Sequence, residues 1–258
     1  DALELSWSAG LGVDDDVWSF QRIVMDYLEG HWRDPDNGIW EIRGDRQHFT
    51  HSKVMCWVAV DRAIRGVEQR GLDGPLDKWK ATRDAIRSDV LEHGYDADRN
   101  SFVQAYGSSR LDAALLLIPS VGFLPGDDPR VVGTIEAVQR ELQHDVGGRR
   151  YLTQDDATSV DGLSGEEATF LVCTFWLADA LCLAGRHAEA TQTYERILAL
   201  RNDLGLLSEE YDVRQHRLIG NVPQAYSHIG VVNTASNLLA TKGGPVHQRS
   251  RTAPLRGR

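Results

Sequence analysis

Apolar residues recur along this chain at helical spacing. Phe20, Ile23, Val24, Tyr27 and Leu28 follow the i, i+3, i+4, i+7, i+8 rule behind the acidic run Asp14-Asp15-Asp16, which suits a helix N-terminus. This pattern predicts a helix over about 13–32. Val54, Trp57, Val58 and Ile64 share one face of a second helix over about 50–67, with Ala63 beside them. The same periodicity predicts helices over about 76–93, 109–120, 129–143, 166–184, 186–201 and 222–240, several bounded by Gly or Pro. Eight helices and no long strand are expected.

These segments pair into hairpins. The second helix of each pair follows a loop with an aromatic residue beside Gly or a charge: Gly38-Ile-Trp40-Glu41, Gly94-Tyr95-Asp96, Arg150-Tyr151 and Glu209-Glu210-Tyr211-Asp212. With Trp40, Tyr95, Tyr151 and Tyr211 taken as equivalent, the intervals are 55, 56 and 60 residues, a near-constant αα repeat. The second helix is also the more apolar one. Ala113 to Pro119 and Phe170 to Leu183 are nearly unbroken, whereas Leu76 to His93 is amphipathic, and a helix apolar on most sides has to be covered on most sides. An inner and an outer layer follow, with the loops before the inner helices opening at one end. Open superhelices use repeats of about 34 to 47 residues, so the longer period favours a closed all-α toroid. Such rings commonly take six hairpins. Residues 1–241 therefore read as the C-terminal two-thirds of one toroidal domain, with about 110 residues expected before Asp1. Residues 242–258, basic and rich in chain breakers, read as a disordered tail.

A formal net charge of −10 repels phosphate backbones, so nucleic acid is not an expected partner. Cys56, Cys173 and Cys182 lie in apolar runs and read as reduced core residues. The longest apolar candidate, Phe170 to Leu183, carries Asp179 and falls short of a membrane span. The first residues lack the basic start and cleavage site of a signal peptide, from which a cytoplasmic location is expected. Oligomeric state is not legible. No dinucleotide fingerprint, phosphate loop or GxSxG elbow occurs, and His48 with His51 lacks a third ligand, so neither cofactor nor metal is expected. Ser164 has no activating His nearby and reads as a helix cap.

The loops hold the ionisable groups. Glu41 follows Trp40 and precedes Arg43, His48, Phe49, His51 and Lys53, a mixture suited to polar ligands. A carboxyl beside an indole is kept protonated where desolvation penalises its charged form, which suits a general acid. A Trp-Glu pair alone fits an ordinary surface carboxylate equally well. Glu209, Glu210 and Asp212 place three carboxyls within four positions of the fourth loop, where a general base or an acidic helix flank are both open readings. Arg150, Tyr151, Glu166 and Glu167 in the third loop, with Gln104, Tyr106 and Arg110 in the second, supply the donors, acceptors and flat faces that sugar hydroxyls need.

The segments Gly38-Ile-Trp-Glu-Ile-Arg-Gly, His48-Phe-Thr-His-Ser-Lys-Val-Met-Cys-Trp57, Leu207-Ser-Glu-Glu-Tyr-Asp212 and Gly220-Asn-Val-Pro-Gln-Ala-Tyr-Ser-His228 together resemble glycoside hydrolase family 15, the family of glucoamylases, glucodextranases and certain bacterial trehalases. The resemblance runs from about Trp18 to Leu239 and implies an (α/α)6 barrel that hydrolyses α-linked glucosides with inversion and without a cofactor. It implies that Glu41 is the general acid and Glu209 the general base. It also implies that Arg150 binds the nonreducing-end glucose and that Trp40 lines that subsite. Glu210 is expected as a hydrogen-bond partner, and Tyr151, Arg43 and Lys53 as further substrate contacts. Glucoamylase-like release of glucose from maltooligosaccharides is the first expectation. A trehalase of the same family and a non-catalytic toroid that binds sugar or protein are the alternatives.

Overall fold

The first described element is α1 (Ala2–Ser8), a helix the periodicity does not predict. The computed structural model describes residues 2–12, 14–144, 146–152 and 168–239. Ser164, Glu166, Glu167 and the basic tail lie outside them. Asp14 accepts from the amides of Asp16 and Val17 at 2.9 and 3.0 Å and so caps α2 (Asp15–His31). Two long helices follow, α3 (Thr50–Arg70) and α4 (Leu76–His93). A hairpin of two-residue strands, β1 (Tyr95–Asp96) and β2 (Ser101–Phe102), bridges α4 to α6 (Pro129–Glu141), whose first turn begins with Pro129 behind the cap Asp128.

Between them the chain departs from the expected helix over 109–120. Only a 3₁₀ turn (Ala113–Leu116) and the one-turn α5 (Leu117–Ser120) form. The reason is tertiary: Arg110 O accepts from Gln104 N, Asp112 is extended at φ −142°, and Ala113 N donates to Arg150 O, so residues 110–113 are tied to other loops. A second departure precedes α7 (Leu171–Leu183). Thr169–Phe170 forms strand β3, paired with β4 (Glu210–Asp212), which pairs in turn with β5 (Arg217–Ile219). α8 (His187–Leu198) and α9 (Ala225–Leu239) complete the described elements.

The helices form an arc of four hairpins in two layers. α3, the 113–120 segment, α7 and α9 touch one another in chain order as the inner layer, while α2, α4, α6 and α8 lie outside. α7 is buried almost throughout, which explains why it shows no polar face. Trp7, Trp18 and Trp79 lock α1, α2 and α4 edge to face at 6.1 Å centroid spacing. The three cysteines are free thiols. The apolar stripe of α2 faces outward instead of inward: Phe20, Ile23 and Tyr27 are 65–67% exposed, and α2 is held instead by Trp18 and Met25.

Candidate active site

Loop 37–42 is a tight turn held at both ends. Asn37 O accepts from Ile42 N at 2.9 Å, and the Asn37 amide donates back to Ile42 O at 2.9 Å. Within it Glu41 has φ +50°, a conformation costly for a residue with a Cβ and concentrated at functional sites. Its neighbours are anchored inward. Ile42 is buried with Phe49, Ala105 and Tyr151, and the Trp40 indole donates to both carboxylate oxygens of Asp112 at 3.0 Å. The Glu41 side chain, between two pinned residues, is left exposed.

Trp40 joins the first loop to the third and fourth. Its ring packs on Phe170 at 5.7 Å and on Trp176 of α7 at 5.9 Å. Arg150 lies over the same surface, its guanidinium carbon 5.2 Å from the Trp40 and Phe170 centroids and 5.3 Å from that of Tyr151. Phe170 is register-paired with Glu210, and Leu171 N donates to Glu209 O at 3.1 Å. Short strand pairing therefore carries the acidic pair of the fourth loop to the aromatic floor beneath Trp40.

Electrostatics bind the same groups together. Burial raises the Glu210 carboxyl above its ordinary range; Arg150 opposes this and Glu209 adds to it. Burial likewise raises Asp112, against hydrogen bonds from Ala114, Gln104 and Trp40 and the charge of Arg150. The charge of one guanidinium thus acts on two carboxyls from different hairpins, buried Asp112 and half-buried Glu210. Glu209 receives a 3.3 Å bond from the Gln224 amide and packs so closely on Gly220 that a Cβ there would lie 3.0 Å from its Cβ and Oε2.

The structure brings together Trp40, Arg150, Glu210 and, through β4, Glu209, with Glu41 adjoining Trp40. Two expected substrate contacts take other positions. Lys53 is 2% exposed, its ammonium donating to Trp32 O at 2.7 Å and Asp34 O at 2.5 Å, because residue 53 falls on the core side of α3. Tyr151 is 1% exposed and backs the Trp40 indole. Arg43 is exposed beyond the turn. Asp112, Phe170, Trp176 and Gln224 were given no role by sequence reasoning. For Asp112, the one available signal was its position ahead of the apolar run Ala113 to Leu117. Among the described residues no group of three or more His, Cys, Asp or Glu is placed to hold a metal, and no helix is long and apolar enough to cross a membrane.

The described helices thus form an αα-hairpin arc whose loops bring carboxyls and an arginine around the Trp40 indole. The chain belongs to glycosyl hydrolases family 15, whose model matches residues 2–236. It is 43% identical over 227 residues to a trehalase of Mycobacterium tuberculosis, covering 88% of this chain and 33% of that protein. A trehalase of Thermoplasma volcanium is 42% identical over 230 residues, covering 89% and 36%. The chain thus spans about a third of the length of these curated relatives. Its fold is that of a bacterial glucoamylase solved with acarbose (TM-score 0.70, 15% identity, 91% of this chain and 40% of that one). The glucoamylase of Saccharomycopsis fibuligera has the same fold (TM-score 0.67, 12% identity, 83% and 60%). The expected (α/α)6 toroid class is therefore the one observed, with four hairpins among the described residues.

Proposed function

We propose that this chain contributes the acid and base loops of an inverting glycosidase acting on trehalose. The observation that carries the reading is the identity of 40–43% to four trehalases over 88–92% of the chain, with both expected carboxyls present in loops that Trp40 and Phe170 join. These relatives favour trehalose over the maltooligosaccharides expected first, since likeness to the glucoamylases is one of fold. Retention of Glu41 and Glu209 favours catalysis over a non-catalytic scaffold. Residues 1–241 would form four of six hairpins, the other two coming from chain outside this sequence.

In this reading Glu41 protonates the glycosidic oxygen as its bond to the anomeric carbon breaks. Glu209 takes a proton from the water that attacks the opposite face of the oxocarbenium-like centre. Arg150 and Trp40 hold the glucose ring under attack, and Glu210, shared with Arg150, orients the base side. Inversion leaves room for water between carboxyls separated by roughly 6.5–9.5 Å.

The test is an assay of the full-length gene product on trehalose, maltose and maltooligosaccharides, with the released anomers followed by NMR. Inversion yields one α- and one β-glucose from each trehalose, because only the attacked ring changes configuration; two α-glucose molecules would mean retention. Glu41→Gln and Glu209→Gln are each expected to lower turnover by about 10²- to 10⁴-fold at unchanged helical content. A variant that turns over near the wild-type rate removes its residue from this mechanism.

A further inference from the structure

Asp112 is an unusual helix cap. Its role at the 3₁₀ turn needs one oxygen, which accepts from Ala114 N at 2.8 Å, and Ser, Thr or Asn would serve equally. Yet a carboxylate stands here at 4% exposure, where its charge is costly. What faces it explains the choice. Trp40 Nε1 donates to both oxygens at 3.0 Å and Gln104 Nε2 to one at 3.1 Å, while Arg150 adds positive charge. Every partner is a donor or a cation, so the position calls for an acceptor-only group, and an Asn amide would turn N–H groups toward N–H groups.

The same short segment ties down a second part of the cleft. Ala113 N, next in the chain, donates to Arg150 O at 2.7 Å. One cap in the second hairpin thus fixes the indole of the first loop by a side-chain bond and the arginine of the third by a backbone bond.

We infer that Asp112 is a positioning residue for the reaction: by clamping the Trp40 indole it sets the direction in which the adjoining Glu41 is presented to substrate. The inference rests on the reading of Glu41 as the acid. Trp40 and Ile42 are the two anchors of the strained Glu41 turn. Ile42 is held by packing and by its two bonds to Asn37, whereas Trp40 is held through its indole, so the orientation of the indole acts on where the Glu41 carboxyl points.

The experiment uses the full-length protein with Asp112→Asn, Asp112→Ser, Trp40→Phe and the Asp112→Asn/Trp40→Phe double variant. Asp112→Ser keeps a cap acceptor but loses the clamp. Both Asp112 variants are expected to lower kcat for trehalose by about ten- to a hundredfold, with KM changed less than about threefold, since a small misplacement of a reacting group acts on the chemical step. The double variant should be no worse than Trp40→Phe alone. Independently of turnover, the Trp40 indole ¹H–¹⁵N resonance, assigned by its loss in Trp40→Phe, should move in Asp112→Asn. An unmoved resonance, additive effects in the double variant, or wild-type kcat in Asp112→Asn overturns the role of Asp112. Glu41→Gln separates the two readings. If it retains turnover, the acid assignment fails, and the positioning role fails with it. If it is inactive while Asp112→Asn is fully active, only the role of Asp112 fails.

Discussion

At the scale of single residues, helical phase decides which charges of the first loop reach solvent. Arg43 lies just beyond the turn and is exposed, whereas Lys53 lies four residues before buried Trp57 on α3 and is drawn under the carbonyls of Trp32 and Asp34. Lys53→Met would leave those two oxygens without their donor. A loss of about 2–4 kcal/mol in denaturant titration is expected, larger than any effect on KM. His51, half-buried, stands at the same helix start. Burial pushes its pKa from 6.5 down to about 4, with Asp36 pulling the other way. The unfolded imidazole takes a proton near pH 6.5 and the folded one does not until about 4. The His51 contribution to stability is therefore fully present above about pH 6.5 and is lost as pH falls toward 4, by up to about 1.4 kcal/mol per unit. Urea titrations at pH 7, 6, 5 and 4 should show a shallower decline in His51→Gln; an identical decline would remove His51 as the cause. The identities of Trp40, Glu41 and Glu209 were legible as local motifs. The lock on Trp40 was not, because Asp112 is 72 residues away and nothing in the local pattern links the two.

At the scale of elements, the close approach of helices sets where glycine is required. α9 crosses α7 at Gly230, where an added Cβ would lie 2.5 Å from the Phe175 ring, near its attachment to the backbone. Gly230→Ala should therefore destabilise by about 1–3 kcal/mol. Gly30 near the end of α2 has nothing within 4 Å, and Gly30→Ala should stabilise by about 0.5–1 kcal/mol through helix propensity alone. Equal and small effects on thermal unfolding would mean that the α7–α9 seam is looser than described. The long helices were legible because core contacts and 3.6 periodicity agree: α4 spans the residues its pattern predicts. Segments 109–112 and 169–170 were misread as helix because backbone bonds to distant loops, Arg150 O for one and β4 for the other, override local apolar character. The stripe on α2 was read correctly as helical, but periodicity cannot say which neighbour covers it.

At the scale of the whole molecule, that uncovered stripe has a counterpart. Phe20, Ile23 and Tyr27 are exposed at one end of the arc, and Tyr226, Ile229, Val232 and Leu239 are 54–85% exposed on α9 at the other. Beside α2 an apolar groove of about 360 Å³, lined by Leu28, Ile39, Met55 and Cys56, continues the first face. Monomeric proteins rarely leave two such faces to water, and a six-hairpin ring would cover both at once with the two remaining hairpins. Expressed alone, the 258-residue chain should self-associate, and Ile23→Lys with Ile229→Lys should shift its sedimentation toward monomer. In the full-length protein the same pair of substitutions should act in the opposite sense. Each would place an ammonium in a packed seam and together lower the unfolding temperature by about 5 °C or more. If the double variant leaves the full-length protein as stable as before, these faces are open in the complete molecule and the ring does not close through them.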